Sequence, residues 1–382
     1  MSTKTMGSGL LVLFRTLRAV RGFAIAAILL AGAPPLLLPG QAPPPAEIRR
    51  VAARESWKVR SEADSDLWFH GMAVIGFEGF GPLRMYDTGY AERVRAAKRR
   101  RGIYPTLLDR KSARFRVAFY GDSTFEIMHF LPLYFLAPSS DGLLRAIRAI
   151  ARDSSAADNA GDPATRNAVK AVASLLGSRR QRELLGEFVD ALEDERRVFY
   201  EDYERESAGA RTAQIAKVQQ HWNADLAPAL APYLERWRLG NGLIVVSPAL
   251  GAEGRFVILG RGSAPGPVIA VGLPSSPADH DGVPLSAVRE LCFPIVHAVI
   301  GQDAARKLER VAAERLSSVA AVRCGALALE RYVPALRSSY QTQFLRAAGS
   351  PATGAGVDAA FIRVFNLPPA VDAGLRRAIF SL

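Results

Sequence analysis

The sequence predicts an α+β protein, predominantly helical, with a small antiparallel three-stranded sheet followed by further helices. Three observations carry that expectation. Apolar residues recur at intervals of three and four over most of the chain, which is the periodicity of amphipathic helices. Only between 243 and 272 does the texture change to short β-branched runs punctuated by glycine and proline. The length of 382 residues and the apolar content of 49% are ample for a sizeable core, which excludes a chain disordered throughout.

The N-terminus bears on the compartment. Residues 1–42 contain Lys4, Arg15, Arg18 and Arg21 and no acid, followed by the apolar run Phe23 to Leu30 and then Pro34 and Pro35. A basic segment followed by an apolar one is what the secretion machinery reads, so residues 1–42 are expected to be a signal peptide or an N-terminal membrane anchor. Both small-x-small cleavage candidates, Ala31-Gly32-Ala33 and Gly40-Gln41-Ala42, are followed directly by proline, which disfavours cleavage and keeps an inner-membrane anchor open. The body is then expected to be periplasmic or extracellular.

Residues 43–153 read as an N-terminal helical region. Its first helix holds Leu67-Trp68-Phe69-His70, its second runs from about Asp87 to Arg101, its third from Thr106 to Phe119, and a fourth begins near Ser123. The small polar stretch Asp153–Pro163 reads as a linker. In the following region, 154–240, the apolar sets Leu185, Phe188, Leu192, Phe199, Tyr203 and Ile215, Val218, Trp222, Leu226, Leu230 suggest the two arms of an αα-hairpin. Glu193 and Arg197 form an i,i+4 pair on its outside, and Pro228 and Pro232 are expected to kink its second arm.

The last region, 241–382, opens with the runs at 243–247, 255–260 and 268–272, read as a β-meander. Pro284 starts a helical run over 285–300, helices continue to Leu345, and a Gly-rich loop at 349–356 precedes a final short helix.

The net charge of +12 is basic, four of those charges lying in the first 42 residues. The tightest cluster, Lys98-Arg99-Arg100-Arg101, reads as the solvated C-terminal end of a helix, where the dipole favours cations. No aromatic interleaving or nucleic-acid motif accompanies it, so no nucleic-acid partner is expected. The sequence also lacks a G-x-S-x-G elbow, a P-loop and a dinucleotide fingerprint. Cys292 and Cys324 would either pair across two helices in an oxidising compartment or stay free and buried.

One constellation has chemical content. A β-meander feeding into the helix that carries Arg289-Glu290-Leu291-Cys292-Phe293, with helices after it, resembles the catalytic half of zincin metallopeptidases of the gluzincin branch, over about residues 243–345. In that family two histidines of H-E-x-x-H bind zinc from one helix face, and the intervening Glu polarises the attacking water. The resemblance implies Glu290 at the base position, Glu330 at the third-ligand position with Glu314 competing, and Tyr340 as a transition-state donor. Arg289 and Phe293 stand where the two histidines belong, and neither holds zinc.

His297, seven residues beyond Glu290, is the histidine placed to replace a lost ligand if Pro294 leaves the helix intact. The others, His70, His129, His221 and His280, are widely spread. Glu126 and His129 form a single E-x-x-H without the second copy that a di-iron bundle needs, so His129 reads as a hydrogen-bonded core residue. His280, in a loop before the candidate helix, reads as an exposed turn.

The expectation is an exported protein with a degenerate zincin-like scaffold that lacks the usual zinc site and binds a peptide or protein ligand. In that layout zinc would need ligands such as His297 and Glu330. Glu290 would otherwise be a buried carboxylate paired with Arg289 or Arg331. The alternative is a non-enzymatic helical envelope protein that binds a partner or the membrane surface.

Overall fold

A computed structural model describes residues 57–76, 82–121, 123–136, 142–152, parts of 166–176, 178–259, 266–275, 279, 281–301 and 308–381. The N-terminal segment 1–42, the linker 153–163 and His280 lie outside them. Residues from Pro44 to Leu382 form one compact unit.

The chain is mostly helical around a small mixed sheet. Strand β1 (Trp57–Arg60) precedes helices α1 (Ala63–Val74), α2 (Thr88–Arg100) and α3 (Leu107–Gly121), two 3₁₀ turns (Ser123–His129 and Leu131–Phe135), and α4 (Gly142–Arg152). Helices α5 (Arg179–Glu195), α6 (Glu201–His221) and α7 (Ala227–Arg236) lead to strands β2 (Gly242–Ser247), β3 (Arg255–Leu259) and β4 (Gly266–Gly272). The C-terminal layer is α8 (Gly282–Leu291), α9 (Phe293–Ile300), α10 (Arg310–Tyr332), α11 (Pro334–Ala347), α12 (Val357–Val364) and α13 (Pro369–Phe380).

The expected antiparallel meander is corrected on two counts. The sheet has four strands in the order β1-β2-β4-β3, and only the β3–β4 pair is antiparallel; β1 with β2 and β2 with β4 run parallel. β3 is therefore part of the connection between the parallel strands β2 and β4, and it lies outside both as an edge. The loop 248–254 passes over the end of β4, where a Cβ on Gly272 would come within 2.6 Å of the Leu250 carbonyl oxygen. It is stitched down by Gly251 N–H to Met85 O (2.9 Å) and Glu253 N–H to Arg84 O (3.0 Å).

Two apolar cores lie on the two faces of this sheet. Along β2, Leu243 and Val245 face the first core, while Ile244 and Val246 face the second; on β4 the corresponding pairs are Val268 with Ala270 and Ile269 with Val271. Burial on both sides explains why these strands read as unbroken apolar runs. Helices α1 to α5 build the first core and α7 to α13 most of the second.

The expected αα-hairpin is instead one continuous helical stretch from Arg179 to Arg236. Two π-helical segments, Arg196–Tyr200 and Trp222–Leu226, interrupt its α-geometry while the helix continues. The second lies just before Pro228, whose missing N–H breaks the regular ladder there. Glu193 and Arg197 bond elsewhere, to Arg148 (2.7 Å) and Asp194 (2.9 Å).

β1, which helical patterning concealed, seals its open edge against this helical stretch. The Gln219 amide accepts from Val59 N–H at 2.6 Å and donates to Trp57 O at 3.2 Å, so the edge backbone finds partners in a side chain. Trp57 packs on Trp222 with ring centroids 5.4 Å apart.

Candidate functional site

β4 delivers the chain to α8, whose Val283, Leu285, Ala287, Val288 and Leu291 are drawn into the second core. Pro294 fits no interior turn of a helix but suits the first turn of a new one, so the chain restarts at Phe293 and Cys292 is the joint between α8 and α9. The resulting stretch Gly282–Ile300 is long and apolar enough to cross a membrane by length and composition, yet 72% of that window is buried inside the fold.

Arg289 and Glu290, at the end of α8, are both 0% exposed. Glu290 Oε1 accepts from the Gly254 amide at 3.0 Å, one residue before the edge strand β3, and from Arg289 Nη1. Arg289 Nη2 donates to Ser318 Oγ of α10 at 3.0 Å, and the guanidinium lies 5.4 Å from the centroid of the Phe293 ring. Burial pushes the Glu290 carboxyl up, and the Arg289 and Arg255 guanidiniums pull against it.

Partly exposed Glu253 and buried Arg255 flank Gly254 and complete a charge-balanced quartet. Arg255 Nη1 donates to Gly254 O at 2.5 Å and lies 3.5 Å from Glu253, while its guanidinium stands 5.3 Å over the Phe130 ring. Among the described residues, Glu290 Oε2, Glu253 Oε2, Arg289 Nε and the Nε/Nη2 edge of Arg255 have no hydrogen-bond partner, so this is an incompletely satisfied polar pocket of the core.

The other residues of the zincin reading lie as follows. Tyr340 is 0% exposed, donates to Val322 O at 3.0 Å, and fills the space opposite Gly325. Glu330 is 12 residues beyond Ser318 on α10, about 18 Å along the axis, where it pairs with Arg337 at 3.3 Å. There it lines a shallow cleft with Arg323, Leu327, Arg337, Phe361 and Arg376, whose guanidiniums are matched by Glu330, Asp358 and Asp372. His297 is exposed on α9 with its ring 6.2 Å from Phe293, and Glu314 is half-buried near the start of α10. Among the described residues no group of three or more His, Cys, Asp or Glu could hold a metal ion.

A second buried polar assembly, not anticipated from the sequence, occupies the first core. His70 Nδ1 lies 2.8 Å from Tyr90 Oη, and Nε2 lies 2.9 Å from Glu195 Oε1. Lys98 Nζ sits 2.6 Å from the same carboxylate and 2.8 Å from Asp109, and Thr106 donates to Glu195 Oε2 at 2.6 Å. Burial opposes ionisation of Glu195, but His70 and Lys98 outweigh it and hold the carboxyl at about 2. With Glu195 an anion, His70 donates from Nε2 and accepts the Tyr90 hydroxyl at Nδ1. Burial lowers the pKa of the imidazole, and Glu195 pulls it the other way.

One turn earlier on α1, Asp66 lies at the end of β2, hydrogen-bonded to Ser247 and 3.5 Å from Arg211. Its Oδ1 has no partner among the described residues, and burial raises its pKa to about 7. The π-segment Arg196–Tyr200 makes this assembly by turning Glu195, Phe199 and Tyr200 all inward. The sequence signal was Asp64-Ser65-Asp66 and His70 inside a helix whose other residues, Leu67, Trp68, Phe69, Met72 and Val74 among them, are apolar or small. Lys98, expected to be solvated, is 0% exposed, while Arg99 and Arg100 remain outside. His129 is buried and bonds Tyr86 Oη at 2.9 Å.

Set against known protein families, curated proteins and solved structures, the chain matches none of them.

Proposed function

We propose that this is an exported, predominantly helical protein whose sheet and C-terminal helices form a degenerate zincin-like scaffold, which binds a peptide or protein ligand rather than hydrolysing it. The observation that carries this reading is the Arg289 guanidinium. It lies against Glu290, Phe293 and Ser318, so the side chains at the base and histidine positions of the motif, and one from the later helix, converge on a cation belonging to the chain itself.

These residues do not fit zinc. A guanidinium and a phenyl ring donate no lone pair to a metal, and the carboxylate that would polarise water is already neutralised and enclosed. Glu330, the third-ligand candidate, is engaged by Arg337. Support for a scaffold relationship comes from the position of Glu290, which is held by the residue preceding the edge strand.

The test is the full-length protein recovered from an exporting host, assayed for metal content and peptide hydrolysis beside Glu290→Gln, with its N-terminus sequenced. We expect no stoichiometric zinc, no hydrolysis in either form, and either a start after Ala33 or Ala42 or an intact N-terminus in the membrane fraction. One zinc per chain with activity lost in the variant would overturn the reading in favour of a working hydrolase.

A further inference from the structure

From Arg99 to Val117 the chain carries seven basic residues and one acid, Asp109, whose carboxylate is turned inward onto Lys98 at 2.8 Å. Three of the arginines, Arg99, Arg100 and Arg110, are exposed and pair with no carboxylate among the described residues. They gather where α2 gives way to α3. The Arg99 guanidinium lies 5.0 Å from the centroid of the Tyr104 ring, and Arg110 Nη1 donates to Pro105 O at 2.9 Å.

α3 continues the surface. Leu108, Phe115 and Phe119 turn its inner side into the first core. Arg110, Ala113, Arg114 and Val117, at i, i+3, i+4 and i+7, share the outward side and are all exposed. Val117 is 74% exposed and Tyr104 40%, so apolar groups stand free among the cations. Glu187 engages Arg114 at 2.6 Å and Glu206 engages Arg101 at 2.5 Å, which leaves the surplus charge on Arg99, Arg100 and Arg110.

We infer that the turn between α2 and α3 and the outward side of α3 form a docking surface for an anionic lipid bilayer. Unpaired arginines attract the lipid phosphates, and a tyrosine ring and an aliphatic side chain enter the headgroup layer beside them. A polyanion without an apolar layer, such as RNA, would leave Ala113 and Val117 unused. Residues 1–42, with four basic residues and the apolar run Phe23 to Leu30, bring the chain to a bilayer on the export reading. The surface itself rests on exposure and charge, and it does not depend on the zincin-like reading of Glu290.

The full-length chain with Val117→Cys is labelled with a fluorophore on the new thiol, since the native Cys292 and Cys324 are free but 0% exposed. Ala359→Cys, at an exposed position of α12 on the second core, is the reference. Each is reconstituted with vesicles of phosphatidylcholine alone, or of phosphatidylcholine and phosphatidylglycerol in equal parts, all carrying a nitroxide-lipid quencher. The expected result is quenching of the Val117→Cys label on the phosphatidylglycerol vesicles, reversed by high salt, with little on phosphatidylcholine and little for Ala359→Cys on either. Adding Arg99→Gln/Arg100→Gln/Arg110→Gln should lower the docked-to-free ratio by on the order of 100-fold, whereas the three Lys replacements keep it, because the phosphates read charge. No quenching of the Val117→Cys label, equal quenching on both lipids, equal quenching of the reference label, or no change with the three Gln replacements would each overturn the proposal. A response to single-stranded RNA in solution and none to vesicles would overturn it in favour of nucleic acid.

Discussion

Arg289 and Phe293, one helical turn apart, are stacked with the guanidinium carbon 5.4 Å from the ring centroid, and they bridge the break between α8 and α9. The ring covers one face of a cation that has no access to water, while Glu290 and Ser318 take its hydrogens in the plane. A cation in such a place depends on its carboxylate, and this dependence can be measured.

Glu290→Gln keeps the shape of the side chain and removes its charge, leaving the buried Arg289 cation without its anionic partner. Breaking one side of a buried pair costs about 3–5 kcal/mol. The double variant Arg289→Leu/Glu290→Leu removes both charges together and is expected to lose markedly less than the sum of its single changes. Urea denaturation of the parent, Arg289→Leu, Glu290→Leu and the double variant checks this; additive losses would show that the two side chains do not act as a pair.

Lys98 makes a comparable case in the first core, and its neighbour provides the contrast. Lys98→Met leaves Glu195 and Asp109 facing each other without the ammonium that sits 2.6 and 2.8 Å from them, and is expected to cost about 3–5 kcal/mol. Arg100→Met, two residues on at the exposed end of α2, should stay within about 0.5 kcal/mol of the parent. Equal small effects in denaturant titrations would mean that Lys98 is solvated, as its basic neighbours led the sequence reading to suppose.

How far the sequence could be read follows from which forces were local. The first three helices, the three runs of the sheet and the restart of helix after it were legible from periodicity, glycine and proline. Pairing was not. Leu243–Ser247 and Val268–Gly272 look alike whether they run parallel or antiparallel, and the deciding feature is a loop that crosses β4 over Gly272. β1 escaped notice because Trp57-Lys58-Val59-Arg60 is four residues long and buries its apolar side against a helix more than 160 positions away. The long helical stretch was split in two because Pro228 and Pro232 are usual breakers, and a π-segment absorbing a proline leaves no mark in the apolar spacing. At the candidate site, Glu290 and its choice between Arg289 and Arg331 were legible; that Arg331 instead bonds the Ile379 carbonyl depends on the docking of α13.

Asp66 gives the clearest pH signature. Its folded pKa is about 7 against 3.8 for the free side chain, so the folded protein holds this proton more tightly than the unfolded chain does. Stability from this group is therefore fully present below about pH 4 and is lost as pH rises through 7, reaching a penalty of about 4 kcal/mol above that. Asp66→Asn removes the titration while Glu204 still pairs with Arg211. The variant should equal or fall slightly below the parent near pH 4 and exceed it at pH 8, so that their stability curves cross. Glu195 acts in the opposite sense: with a folded pKa of about 2, below the ordinary 4.5, it stabilises the fold at neutral pH and ceases to do so as pH falls through 2. The crossing between the two proteins must therefore come from Asp66, since Glu195 is common to both and titrates below the range compared. Urea titrations at pH 4, 6 and 8 decide the matter, and parallel curves would show that Asp66 is ionised throughout, held as an anion by Arg211 and Ser247.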